Sequence, residues 1–447
     1  MFLISQTINQ VRVYLTDAVF VTLGRCISAL GSLFTVYILT RYLSPSDYGG
    51  LNLLMTFSII ATQLFIGPLG AGSTRFYMAA VQNGDTKSYL NSIYHALKIL
   101  NGIILSIGCL FSFYLIMFHQ DESSATWAIL VLLITLFSII TSYSSIFNGL
   151  FLAAQNQTIT SFYQGVEPWL KVIFAVLIIM MFGSSTLSAI SGYILALVAL
   201  VFSQLFFINK MINKNEKNEK NEKNEKCVDW ISKIKKYSIP FVLWGGFTSL
   251  HLVSDRWALN LFSDLDDVGF YSVLYQIGYF PVTLIIGILI QLVTPFFFRH
   301  AGLDIEAGNK LKIMKTGSIL IVLSGSITLF ISFVFFFTNT YIFEILFSEE
   351  YSHIAYLLPY MCIAAGLFAT GQAATLILQS EVNTNVLLKP KIVTSILGIA
   401  FNIIGAFYYG IEGIVIGLIC YGVIYLAWII IITFFRNITE NEVNSKN

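Results

Sequence analysis

Twelve apolar runs of bilayer length constrain this chain more than anything else in it. A hydrocarbon core of about 30 Å is crossed by roughly 20 apolar helical residues. Runs of that kind fall at approximately 18–39, 49–70, 94–118, 127–152, 161–183, 188–208, 238–262, 269–297, 314–337, 355–379, 392–409 and 412–434. Backbone groups in lipid must bond within their own segment, so each run is expected to be a helix. The strands of a membrane barrel would alternate polar and apolar residues, and these runs do not. The fold class expected is therefore all-α, a polytopic membrane protein of about 12 transmembrane helices. Only 11% of the 447 residues are charged against 56% hydrophobic, too little charge for the surface of a soluble domain of this size. The N-terminal segment 1–17 is polar and mixed, and the run after it is of full span length with no small-residue cleavage site, so no cleavable signal is expected.

Charge is confined to the connections, and its distribution sets the expected orientation. Segments 1–17, 71–93, 153–160, 209–237, 298–313 and 380–391, the C-terminal tail and the span-edge Lys315 together carry 20 of the 25 Lys and Arg. The opposite connections carry only Arg41. By the positive-inside rule both termini are cytoplasmic. The longest exterior segment, 338–354, has no Lys or Arg and leaves no room for an exterior catalytic domain. Of the five cysteines, four lie inside apolar runs and none has a pairing spacing, so they read as small hydrophobes.

The longest connection, 209–237, contains the repeat NKNEKNEKNEKNEK (213–226). With balanced charge and nothing to bury, it is expected to be a disordered or frayed-helical spacer. It separates a lobe at 1–208 from a lobe at 238–447, six spans each. The halves resemble each other at one place. LSPSDYGGLNLL (43–54) follows span one and SDLDDVGFYSVL (263–274) follows span seven, so that Asp47-Tyr48-Gly49 and Asp267-Val268-Gly269 are separated by close to half the chain. Asp-x-Gly is common turn chemistry; its recurrence at equivalent points of two halves points to parallel repeats. Two six-helix lobes around a central cavity is an alternating-access architecture.

Ionisable groups within spans cost several kcal/mol unless they face a cavity or a partner. Span five places Gln164, Glu167 and Lys171 on one face, with Glu167 four residues before Lys171, the favourable order for a pair, and Pro168 between them. A structural pair inside a bundle would look the same as a polar stripe lining a substrate path. Span seven carries Asp255 and Arg256, with His251 a turn earlier. Neighbours on a helix point about 100° apart, so this dipeptide is not expected to neutralise itself, although Arg256 has the option of snorkelling outward. Span one carries Arg25 among Thr22, Ser28, Ser32 and Thr35, which equally suits helix packing. His95 and Lys98 sit where span three begins and read as anchors. Arg25, Lys98, Lys171 and Arg256 outnumber Glu167 and Asp255 by two, and a cavity with that excess attracts an anion. The expected substrate contacts are Arg256, Lys171 and Arg25, with Asp255, Glu167, Gln164 and His251 in supporting or ion-coupling roles. No G-x-x-x-x-G-K-[ST], H-E-x-x-H or G-x-S-x-G occurs, and the five histidines are scattered. No enzyme activity, cofactor, metal or nucleic-acid partner is expected.

LTRYLSPSDYGGLNLLMTF (39–57), SDRWALNLFSDLDDVGFYSVLYQIG (254–278), EILFSEEYSHIAYLLPYM (344–361) and YYGIEGIVIGLI (408–419), in this order and spacing, resemble the polysaccharide transporter family, the O-antigen and capsule repeat-unit flippases. The resemblance covers nearly the whole chain. It implies two six-helix lobes, the fold of the multidrug, oligosaccharidyl-lipid and polysaccharide exporter superfamily. It also implies translocation of undecaprenyl-pyrophosphate-linked oligosaccharide across a bacterial inner membrane, with polymerase and glycosyltransferases as partners. Asp255 and Arg256 match the family pattern; Glu167, Lys171 and the NEK repeat do not. Three alternatives differ in substrate or class. A multidrug exporter of the same superfamily would take free cations, which a cationic cavity disfavours. A peptidoglycan-precursor flippase commonly has more spans. A membrane polysaccharide polymerase would need a larger exterior loop with catalytic Arg or His.

Overall fold

The computed structural model describes residues 2–118, 122–219, 229–300, 307–380 and 385–444, and every regular element among them is a helix. The chain divides into two compact units, one of residues 1–43 and 50–249, the other of residues 44–49 and 250–447.

The first unit is built on α1 (Phe2–Tyr42), α2 (Pro45–Gln82) from Gly50 onward, α3 (Thr86–Phe118), α4 (Glu122–Ala153), α5 (Gln157–Phe182) and α6 (Thr186–Glu219), and it takes in the N-terminal part of α7 (Trp230–Phe262); the first five residues of α2 belong to the second unit. Helix α1 packs along α5, α3 along α4, and α6 along both α4 and α5. Small residues allow the close approach: Gly24 lies against Ser161, and Gly31 against Pro168 and Trp169. An aromatic cluster of Tyr77, Tyr89, Phe147, Phe151, Tyr163 and Trp230 is buried at one end of the unit. It explains why α2 and α3 run past the lengths expected from hydropathy: residues 71–82 and 86–93, read as connection, keep an apolar face to bury and so remain helical.

The second unit contains α8, which runs as Leu265–Leu274, a π-helical turn at Tyr275–Tyr279, and Phe280–His300. It is followed by α9 (Ala307–Leu346), a 3₁₀ segment (Glu349–Leu357), α10 (Leu358–Ser380), α11 (385–409) and α12 (411–444). Helix α10 is rich in Ala and Gly and is the buried centre of the unit, packed on α8, α9 and the α11–α12 pair.

Ten stretches are long and apolar enough to cross a membrane among the described residues. One of them, Val386–Phe434, has 49 residues. As one helix it would be about 74 Å long, more than twice a bilayer core. It is broken at Gly410, whose φ of 54° and ψ of −129° suit only glycine, and so counts as α11 and α12. Together with the 33-residue α7, which holds the expected seventh run, the twelve expected spans are all helical. The segment 338–354, expected to be an exterior loop, is not a loop. Helix α9 continues to Leu346, and the 3₁₀ segment begins at Glu349, because Phe343, Phe347 and Tyr351 meet ring to ring in sequence and are buried. Of the NEK repeat, 213–219 continues α6; residues 220–226, and Cys227, lie outside the described residues.

The recurrent Asp-x-Gly has two structural causes. Ser44 caps α2, its hydroxyl accepting from the Asp47 backbone N–H at 3.1 Å and donating to the Asp47 carboxylate at 2.9 Å. Asp264 caps α8 in the same way, accepting from the Asp267 N–H at 2.9 Å. The glycines meet each other: a Cβ on Gly49 would strike the Leu265 carbonyl, and a Cβ on Gly269 would strike the Pro45 carbonyl. Pro45 and Leu265 hold equivalent places in the two repeats, as Gly49 and Gly269 do, so a local pseudo-two-fold relates these two helix starts.

A second repeat has no counterpart in the sequence reading. Helices α2 and α8 each contain a π-turn, at Thr62–Ile66 and Tyr275–Tyr279, closed by the Gly67 N–H donating to the Thr62 carbonyl and the Phe280 N–H donating to the Tyr275 carbonyl. Pro68 and Pro281 follow immediately. A helical proline cannot donate to the carbonyl four residues back and crowds it; widening the turn moves that carbonyl aside. Gln63-x₄-Pro68 and Gln276-x₄-Pro281 are the sequence trace of this device.

Candidate functional site

In the second unit the intramembrane charges of α7 meet the aromatic stripe of α8. Asp255 is 3% exposed. Its carboxylate accepts from its neighbour's backbone N–H at 2.7 Å, from Arg256 Nη1 at 3.3 Å and from the Tyr271 hydroxyl at 2.6 Å. The expectation that Asp255 and Arg256 do not neutralise each other is therefore corrected. Their Cβ atoms diverge, but the long arginine side chain folds back across the gap. It does not snorkel outward: the guanidinium lies 4.8 Å from the Tyr275 ring centroid and 5.7 Å from that of Tyr271. Both side-chain contacts to Asp255 engage Nη1, so the planar fork retains Nη2 and Nε as donors.

The tyrosines continue as a shelf. Tyr275 and Tyr279 stack at 4.6 Å, Tyr279 reaches Phe368 of α10, and Phe368 reaches Tyr421 of α12. His251 is buried, with its ring centroid 4.0 Å from that of Tyr421. Four residues before Asp255 on the same continuous helix, His251 meets the far end of the shelf at Tyr421. Its Nδ1 has no hydrogen-bond partner among the described residues. Nearby Asn402 of α11 donates to the Ser254 hydroxyl at 2.8 Å. Tyr271, Tyr275 and Tyr279 were missed in the sequence, although their four-residue spacing was legible as one helical stripe.

In the first unit, Lys171 donates to Glu167 at 2.6 Å, the i,i+4 pair the spacing predicts. The ammonium lies 5.2 Å from the Phe137 ring centroid and 5.9 Å from that of Tyr193, so α4 and α6 supply its aromatic surroundings. Gln164, on the same stripe a turn earlier, is exposed. Helix α5 continues through Pro168, whose carbonyl is 3.5 Å from the Thr35 hydroxyl of α1. Ser32 and Thr35 donate to carbonyls of their own helix. Arg25 is half-buried on α1. Neither Arg25 nor Lys98 has an ion-pair partner among the described residues, so the two-cation excess rests on them rather than on Arg256 and Lys171.

The family model described as "Polysaccharide biosynthesis protein" matches residues 14–300. A comparison with curated protein sequences found no match. Among solved structures the chain is similar to lipid II flippase MurJ in an inward closed conformation, with a TM-score of 0.67 and 12% identity over 92% of this chain and 86% of that one. It is also similar to an inward-facing multidrug resistance MATE family transporter of the MOP superfamily, with a TM-score of 0.63 and 14% identity over 95% and 96%. A MOP superfamily transporter from Pyrococcus furiosus gives 0.59 and 14% over 92% and 94%. At these identities the likeness establishes the fold alone. The matched 14–300 is more than half the chain and includes both the α5 pair and the α7–α8 cluster: this chain belongs to the polysaccharide biosynthesis protein family and has the MOP-superfamily fold.

Proposed function

We propose that this protein flips polyprenyl-pyrophosphate-linked oligosaccharide repeat units across a bacterial inner membrane, for O-antigen or capsule biosynthesis. It does so by alternating access, with both termini in the cytoplasm. The observation that carries the reading is the buried Arg256 on its tyrosine shelf. A diphosphate entering a low-dielectric interior needs charge-assisted donors, and the guanidinium keeps Nη2 and Nε for that role while Asp255 holds it in place. Arg25 and Lys171 add positive charge in the other unit, and the Lys171–Glu167 pair can exchange its partner for phosphate without leaving a cation unpaired. Family membership supports a polysaccharide precursor as cargo, and a flippase with the same fold supports a lipid-linked one.

The test is flipping of a fluorescent polyprenyl-diphosphate oligosaccharide in proteoliposomes. Inward-to-outward transfer is expected for the wild type and is reduced by Arg256→Ala more than by Arg256→Lys, which keeps charge but loses the planar fork. Transport of free amphiphilic cations with no transfer of the lipid-linked sugar would refute the reading in favour of a multidrug exporter.

A further inference from the structure

The first unit contains an apolar trough that the charged clusters do not use. One part is a cavity of about 410 Å³ between α2, α3 and α7, walled by Leu64, Phe65, Ala96, Ile99 and Val242. A second cavity, of about 320 Å³, continues between α2, α3 and α4 past Phe57, Ile107 and Phe111. Leu64 and Phe65 belong to both walls, and both lie in the π-turn of α2. The irregular turn thus sets the waist of the trough, a position typical of functional π-turns. One end is polar. Asp85, Lys87 and His95 border an open cavity of about 550 Å³ that shares Ser92, His95 and Ile231 with the trough, and Lys235 stands on the trough wall beside them. The Asp85 carboxylate accepts from the buried Trp230 indole at 2.7 Å and keeps its charge, so the two lysines exceed it by one.

We infer that this trough holds the polyprenyl chain of the transported lipid, with its phosphate at the Lys87–His95–Lys235 mouth. The inference rests on the flippase reading above. Charge complementarity at the mouth selects an anionic lipid. Length selects the prenyl chain over a phospholipid tail. From Ser92 to Phe111 the trough follows α3 for about 28 Å, whereas the chains of one leaflet occupy about 15 Å, half the hydrocarbon core. A phospholipid tail would end near the π-turn and leave the second cavity unfilled; a polyprenyl chain continues past it. His95, read in the sequence as an anchor, becomes part of the headgroup site.

The experiment uses the full chain in proteoliposomes with a benzophenone-tailed polyprenyl monophosphate, mapping photolabelled peptides by mass spectrometry. Labelling is expected on α2, α3 and α4 residues of the second cavity, and is competed by unlabelled polyprenyl phosphate but not by phosphatidylglycerol. Ala96→Trp and Ile107→Trp should each weaken probe binding about tenfold, the loss for two methylene equivalents of apolar contact. Leu105→Trp, on a face of α3 lining neither cavity, should not. Lys235→Glu should weaken the phosphate probe but not a polyprenyl alcohol. Equal competition by phosphatidylglycerol, or labelling indifferent to both trough tryptophans, overturns the inference. Wild-type flipping of the diphosphate-linked sugar separates the cases. Normal flipping with unaffected labelling sinks the trough alone. Specific trough labelling without flipping leaves the trough standing and sinks the transport reading.

Discussion

Neutralising Asp255 and Arg256 singly and then together separates a helix clamp from a substrate contact. At 3.3 Å and an effective dielectric of 20, the pair attracts by about 5 kcal/mol before desolvation is subtracted. Arg256→Gln leaves a buried carboxylate with only the Tyr271 hydroxyl and one backbone N–H. Asp255→Asn leaves a buried guanidinium over two tyrosine faces. Each single change should destabilise by about 3–5 kcal/mol, the usual penalty for orphaning one member of a buried pair. The double change orphans neither charge, so its cost should fall well below the sum of the two, with a coupling of about 2 kcal/mol or more. Stability is read as the thermal unfolding midpoint of purified protein in detergent, and function as flipping at equal membrane-inserted amounts. If Arg256 contacts the diphosphate, stability recovers in the double variant and transport does not. A double variant that both folds and flips like the wild type would mean that the pair only holds α7 in place, and the proposed substrate contact would be wrong.

Tyr275→Leu removes the ring beneath the guanidinium, about 1–2 kcal/mol of cation–π attraction, and should lower flipping severalfold, while Tyr275→Phe keeps the ring face and stays near wild type in the same assay. Gly49→Ala and Gly269→Ala each push a methyl group into backbone that cannot rotate away; each should cost about 1–3 kcal/mol and lower the unfolding midpoint in detergent. For topology, single cysteines at Asp266 and Glu350 in a cysteine-free background should react with an impermeant reagent in intact cells, and one at Asn221 should not; labelling of residue 221 would reverse the orientation.

The spans were legible because lipid leaves the backbone one economical solution, and hydropathy reports where lipid is. Even the break between the last two was visible, as Gly410 between two apolar runs. The overruns were not. Helical residues 71–82, 86–93 and 338–346 are held by side-chain packing partners distant in sequence, such as Trp230 against Tyr89. The Glu167–Lys171 pair was legible since both residues lie on one helix with a fixed spacing. The Asp255–Arg256 pair was misread because Cβ directions ignore the reach of four-bond side chains. The tyrosine shelf joins α8, α10 and α12, and only its first three members share a helix. The π-turns leave a trace in sequence, glutamine and proline at the same spacing in each half, but that trace is informative only once the halves are aligned on it. The stretch from Gly49 to Gln63 is longer than the stretch from Gly269 to Gln276, so the two pairs of landmarks fall at different offsets, which hides the second from a search at a single spacing.

The reciprocal contact of Gly49 and Gly269 bears on how a chain with internal repeats can change over generations. After a duplication, most positions in one copy are released from those in the other and drift independently. Where the two copies touch one another across their own symmetry, that release never occurs. A side chain gained at residue 49 must be accommodated by the backbone at 265–269, and one gained at 269 by the backbone at 45–49. The two positions are therefore constrained jointly: a side chain at either one is excluded by the backbone of the other repeat, and neither can grow without a shift in both helix starts.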